Sequence, residues 1–287
     1  MDLDFDFTQL DEDAEAFVKG LGIPPCPAIV TRIVREARAE DPDFNRVAAL
    51  ISTDVTLSAA MLSTVNSAYY GLRKKAETVH RALVFLGLQT CTHLVTRLML
   101  RHAFPVSNHP AMKRFWATAA RSSLMAGLVA RHARSLDPEL ASTFALFRDS
   151  GMPLLLARFP GYHELMAPEV INGGKALLEA EQLNCGINHV RVGLQLARTW
   201  ELTPELCLAI YHHHDYASGG IDEAGAPPLS QRLVAVGLVA DGVAAQLGRT
   251  VNQEWEESRD YALETLSLTE DDLEEMALAA SRLSSSG

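Results

Sequence analysis

A chain of 287 residues, 48% apolar and 21% charged with a formal net charge of −11, is too long and too apolar to be a disordered segment, a collagen-like repeat or a disulfide-stapled miniprotein. It can bury about three quarters of its unfolded surface in a full core. Cys26, Cys91, Cys185 and Cys207 form no CxxC pair, which suits reduced thiols and argues against a zinc–thiolate centre.

In chain order, residues 1–19 form an acidic segment with seven acids and one base; it lacks the basic start and apolar run of a signal peptide. No stretch offers about 18 consecutive apolar residues, so a cytoplasmic protein with no membrane association is expected. From residue 20 onward apolar side chains recur at helical spacing, as in Ile29, Ile33 and Val34, then Leu57, Met61, Leu62 and Val65, then Leu94, Leu98 and Met99. Helix starts are signalled at Asp41-Pro42, Asp137-Pro138 and Thr203-Pro204. The two prolines of residues 102–110 mark a subdomain joint, and residues 215–228 read as a loop. The expected fold class is all-α: an N-terminal helical subdomain over 20–106, a helical bundle over 107–250, and an acidic helical extension with a frayed tail over 251–287.

Several short stretches fix chain direction. Pro24, Pro25 and Pro27 set an extended entry and a helix start. Asp54 precedes an apolar helix; Asn66, Ser67 and Gly71 stand where that helix must end, and Gly87 permits a sharp junction. These residues lie in four ordered motifs: Ile23-Pro24-Pro25-Cys26-Pro27, Leu50-Ile51-Ser52-Thr53-Asp54, Val65-Asn66-Ser67-Ala68-Tyr69-Tyr70-Gly71 and Val79 through Leu88. On these motifs the segment 23–104 resembles the N-terminal half of the HDOD family, a helical output module of bacterial signalling proteins. Val55 departs from the proline usual in that family.

Residues 115–241 resemble the second HDOD half, a degenerate relative of the HD and HD-GYP metal-dependent phosphohydrolases, whose histidines and aspartates hold metals that activate water against a phosphate ester. The resemblance implies a pocket of seven positions. Thr118 stands where the family's first histidine would be, and Arg148 replaces the histidine of a His-Asp doublet while Asp149 keeps the aspartate. His189 matches a third histidine, His213 and His214 the late pair of the cyclic-dinucleotide phosphodiesterase branch, and Asp241 the closing aspartate. Threonine is a poor metal ligand, and arginine, protonated at every accessible pH, is none. The Arg148 cation is expected to oppose a nearby divalent ion and to satisfy Asp149 and Asp241 instead.

Three uses of the pocket remain open: a structural remnant, an anion site using Arg148, or a residual metal site. No resident cofactor is expected, with Fe, Mn, Zn or Ni as residual or adventitious occupants. A second feature is the block 71–134, with eleven Lys/Arg against one acid; Arg73, Lys74 and Lys75 are its most compact part, and the acidic termini could fold over it. The expected function is a non-enzymatic signalling or regulatory module acting on other signalling proteins, of unknown identity. The alternatives are a nucleotide or second-messenger sensor, a residual phosphohydrolase, and nucleic-acid binding by the basic block.

Overall fold

The computed structural model describes residues 20, 22–104, 107–134, 136–167, 174–216 and 225–284. Every element among them is a helix, and no single helix is long and apolar enough to cross a membrane. The acidic segment 1–19, the centre of the predicted loop (217–224) and the last three residues lie outside the described residues. The chain divides into two compact units, one beginning at Pro25 and ending before Ser107, the other running from Ser107 to Ala277 and including Pro24; residues after Ala277 belong to the first.

The first unit contains α1 (Ala28–Ala37), α2 (Phe44–Ser52), α3 (Val55–Val65), α4 (Val79–Leu86) and α5 (Leu88–Ala103). Pro27, with φ −56° and ψ 132°, turns the extended entry into α1. The cap of α2 is Asp43, accepting from the Asn45 amide at 2.7 Å, two residues beyond the predicted Asp41-Pro42 start. Asp54 caps α3 by accepting from the Leu57 amide at 2.9 Å. Val30, Ile33, Val47, Ile51, Met61, Val65, Leu83 and Leu94 fill one core. Each such side chain contributes about 1.5–3 kcal/mol on burial. Phe85 is half exposed.

Two glycines are required by backbone conformation: Gly71 at φ 60°, and Gly87 at φ 80°, where α4 and α5 meet at 118°. Asn66 ends α3 and clamps the following loop. Its Nδ2 donates to the Ala76 carbonyl at 2.9 Å, and its Oδ1 accepts from the Ala76 amide at 2.7 Å. Ser67 accepts from the Tyr70 amide in the same turn through its backbone carbonyl. Asn66→Ala removes both side-chain bonds beside a buried backbone, so a loss of about 1–3 kcal/mol is expected in denaturant melts. Unchanged stability would reduce the clamp to a surface contact. Arg73, Lys74 and Lys75 are exposed on this loop, outside any helix.

The second unit holds α6 (Pro110–Ala133), α7 (Pro138–Phe147), α8 (Gly151–Arg158), α9 (Tyr162–Leu165), α10 (Gly174–Cys185), α11 (His189–Thr199), α12 (Pro204–Tyr211), α13 (Pro228–Gly248) and α14 (Gln253–Leu266); α15 (Glu270–Ser284) follows. Asp137 and Thr203 cap α7 and α12, with Pro138 and Pro204 at the first helical positions as the sequence predicts. The long helix α13 is apolar on nearly all sides, rich in Ala, Val and Gly, and packs against α6, α7, α12 and α14. Close approach is built in by glycines: a Cβ on Gly151 would lie 2.1 Å from the His189 carbonyl oxygen. That proximity brings the start of α8 against the start of α11. The eleven cations of block 71–134 fall six on the first unit and five on the second.

Candidate metal centre and anion pocket

Four ligating atoms converge in the second unit. Asp149 lies in the turn between α7 and α8, His189 opens α11, and His213 and His214 lie in the turn after α12. His213 therefore lies just beyond the end of α12. One ligand atom from each of the four residues lies within 4.8 Å of the others. His189 Nε2 is 3.4 Å from His213 Nε2 and 3.2 Å from His214 Nε2; Asp149 Oδ1 is 3.2 Å from His213 Nε2 and 3.6 Å from His189 Nε2. All three histidines are buried.

The far side of each ring is tied down. His213 Nδ1 faces the Ile210 carbonyl at 2.7 Å, which can only accept, so Nδ1 carries the proton and Nε2 is bare. His189 Nδ1 donates to Glu181 Oε2 at 2.8 Å; that oxygen also accepts the His189 amide at 2.9 Å, while Tyr162 donates to Oε1. Glu181 is fully buried, yet His189 and Tyr162 hold its carboxyl below the usual range. His214 Nδ1 meets Glu254 Oε1 at 2.5 Å, a spacing that requires a proton between them. Three rings oriented by outer-shell acceptors, with bare nitrogens turned toward one carboxylate oxygen, make a donor set that fits a divalent transition metal. Without a cation, acceptor would face acceptor.

Electrostatics agree with the geometry. Burial, then the neighbouring His214, lowers His213 to about 4; burial, then His189, lowers His214 to about 3. Both are neutral ligands at physiological pH. For His189, burial disfavours the cation, but Glu181 outweighs it and the pKa is raised, so a single proton can lie where a metal would. His213 and His214 bind protons more weakly folded than unfolded. Their contribution to stability is therefore present above the unfolded value of 6.5 and is lost as pH falls toward about 4. Chelator-treated protein should melt at progressively lower temperature from pH 6.5 to 4.5, with the slope reduced in His213→Gln; an equal slope in that variant would contradict the assignment.

Beside the cluster sits Arg148. Its Nη2 donates to both oxygens of Asp241, at 2.8 and 2.7 Å, and its Nε to Asp149 Oδ2 at 3.2 Å. Burial disfavours the guanidinium, but Asp241 and Asp149 keep it charged. Burial would raise Asp149, yet Arg148 and His213 hold it well below the carboxylate range; burial pushes Asp241 up against the pull of Arg148. Asp149 thus turns Oδ2 to the arginine and Oδ1 to the histidines, and the guanidinium satisfies Asp149 and Asp241 as the sequence leads one to expect. Ser122 donates to Asp241 from α6 at 3.3 Å. A Cβ on Gly237 would lie 2.9 Å from Arg148 Nη1, so a larger residue at this position in α13 would press on the guanidinium.

Thr118, Arg148, Asp149, His213, His214 and Asp241 all line one cavity of about 720 Å³, with His189 behind it. Four further residues escape the sequence reading: Glu181, Glu254, Tyr162 and Gly174. A Cβ on Gly174 would lie 2.0 Å from His214 Nδ1. Glu254 comes from α14, within the segment read as an acidic extension. Pro24, Pro25, Pro27, Asp54, Asn66, Ser67, Gly71 and Gly87 are not part of this pocket.

Comparison with known proteins gives the same fold. Residues 23–216 match the HDOD domain. A relative from Treponema pallidum of uncharacterised function is 24% identical over 197 residues; the match covers 67% of this chain but 38% of that protein's length. A crystal structure of a candidate phosphohydrolase from Shewanella amazonensis superposes with a TM-score of 0.70 at 22% identity, covering 94% of this chain and 93% of that one. A candidate signal transduction protein from Marinobacter aquaeolei superposes with a TM-score of 0.67 at 22% identity, over 93% of this chain and 58% of that one. With the domain match spanning more than half of its length, the chain belongs to the HDOD family.

Proposed function

We propose that the protein is a non-enzymatic regulatory module acting through contacts with other signalling proteins, whose HD-like pocket keeps one cation site and has a fixed guanidinium in place of a second. One observation carries this reading: Arg148 spans Asp241 and Asp149 through three hydrogen bonds. Two-metal hydrolysis of phosphate esters clamps the attacking and leaving oxygens between two Lewis acids. A guanidinium has no lone pair and keeps its protons, so it neutralises the two carboxylates but cannot lower the pKa of a bound water. Asp149, His189, His213 and His214 would hold a divalent ion, which supplies an electrophile for the oxygen of an anionic ligand. The match to a candidate signal transduction protein supports the regulatory side.

The four-ligand cluster and the likeness to a candidate phosphohydrolase favour a second reading, residual hydrolysis on a single metal. The two separate in an assay of protein loaded with Mn²⁺ or Zn²⁺ against bis(p-nitrophenyl) phosphate and cyclic dinucleotides. No turnover above the free metal is expected. Metal-dependent turnover that disappears in His213→Ala would replace the regulatory reading with the enzymatic one.

A further inference from the structure

The cavity has more positive charge than its cation cluster requires. Arg114, Thr118 and Arg121 lie at i, i+4 and i+7 on α6 and therefore share one helical face, and all three line the cavity. Arg114 and Arg121 are exposed, and among the described residues neither makes an ion pair. The acids on the same walls are already engaged: Asp241 by Arg148, Asp149 by Arg148 and His213, Glu254 by His214. Nη1 of Arg148 has no hydrogen-bond partner among the described residues. Cationic donors are therefore left free on the cavity wall, beside the neutral Thr118 and Asn252. They line a space whose walls also include the apolar Phe115, Phe144, Met152 and Leu238.

From this arrangement we propose that the cavity binds a small phosphorylated ligand of nucleotide chemistry, its phosphate held by Arg114, Arg121 and Thr118 and its apolar part against the aromatic wall. Guanidinium groups match phosphate oxygens in a bidentate fork and are weakly hydrated, so they favour phosphate over a simple carboxylate. A volume of about 720 Å³ lies within the range of small-molecule pockets and exceeds what inorganic phosphate needs. Concave placement on one unit favours a small molecule over a polynucleotide, which would need a continuous exposed surface. The inference deepens the regulatory reading by naming the signal, and it rests on that reading only in treating the ligand as bound without being turned over.

The test is calorimetric titration of Mn²⁺-loaded full-length protein with the four nucleoside 5′-monophosphates, with inorganic phosphate and with a single-stranded decanucleotide. At least one monophosphate should bind more tightly than phosphate or the decanucleotide. Arg121→Ala should weaken it about tenfold or more, the loss of one charged hydrogen bond, and Arg114→Ala/Arg121→Ala should remove it. Metal content and helicity should not change, since both residues are exposed and outside the cluster. No binding of any monophosphate at millimolar concentration, equal affinity in the double variant, or tighter binding of the decanucleotide each overturns the proposal. Product formation during the titration would instead count against the non-enzymatic reading, and loss of metal from the wild type against the cation site.

Discussion

Arg148→Met should destabilise the pocket-bearing unit by about 3 kcal/mol or more, the cost of leaving a partly buried carboxylate pair without its cation. For a domain of this size that is roughly 6 °C or more in melting temperature. The loss comes from Asp241, which faces the guanidinium with both oxygens, and from Asp149 Oδ2. Two companion variants separate charge from packing. Arg148→Met/Asp241→Leu should recover much of the stability, because removing both charges removes the unmet desolvation. Arg148→His should regain part of its loss when divalent metal is added, since a ligand at about 100 times its Kd contributes about 2.7 kcal/mol. If Arg148→Met melted with the wild type, the guanidinium could not be the charge that replaces a cation.

His213→Ala should abolish metal retention through dialysis, because it removes the Nε2 nearest Asp149 Oδ1 and opens the cluster to water. Outer-shell changes should be graded rather than absolute. Glu181→Gln and Glu254→Gln keep the volume but weaken the acceptors that orient His189 and His214, and a loss of about 10–100-fold in metal affinity is expected of each. Metal content unchanged in His213→Ala would show that the cluster is not where the ion binds. Affinities unchanged in both glutamine variants would show that the rings need no orienting carboxylate.

Helix starts were legible at Asp137-Pro138 and Thr203-Pro204, where a capping side chain and a proline coincide, because both signals are local. At Asp41-Pro42 they mislead by two residues, since Asp43 is the residue that reaches the α2 amides. In the pocket, Arg148, Asp149, His189, His213, His214 and Asp241 are readable from their motif contexts. Their division of labour is not. Whether an arginine expels a metal or stands beside it depends on which oxygen of Asp149 it takes, a matter of side-chain direction.

Glu181 had a weak signal: Leu177, Glu181 and Cys185 share one buried helical stripe, and a carboxylate on such a stripe needs a partner. Glu254 had none, being one of ten acids in residues 250–287. Gly174 and Gly237 are constrained by what approaches them from distant turns, His214 and Arg148, and such contacts leave no periodic trace.

The most direct test of one retained cation site with the other replaced by Arg148 is the metal content of untagged protein, purified without chelator and without a metal-affinity column, measured by mass spectrometry. Close to one transition-metal ion per chain is predicted, falling to none in His213→Ala. Two ions per chain would mean that Arg148 leaves Asp241 and Asp149 free to ligate, and a metal-free wild type would mean that a proton alone fills the space between the histidines.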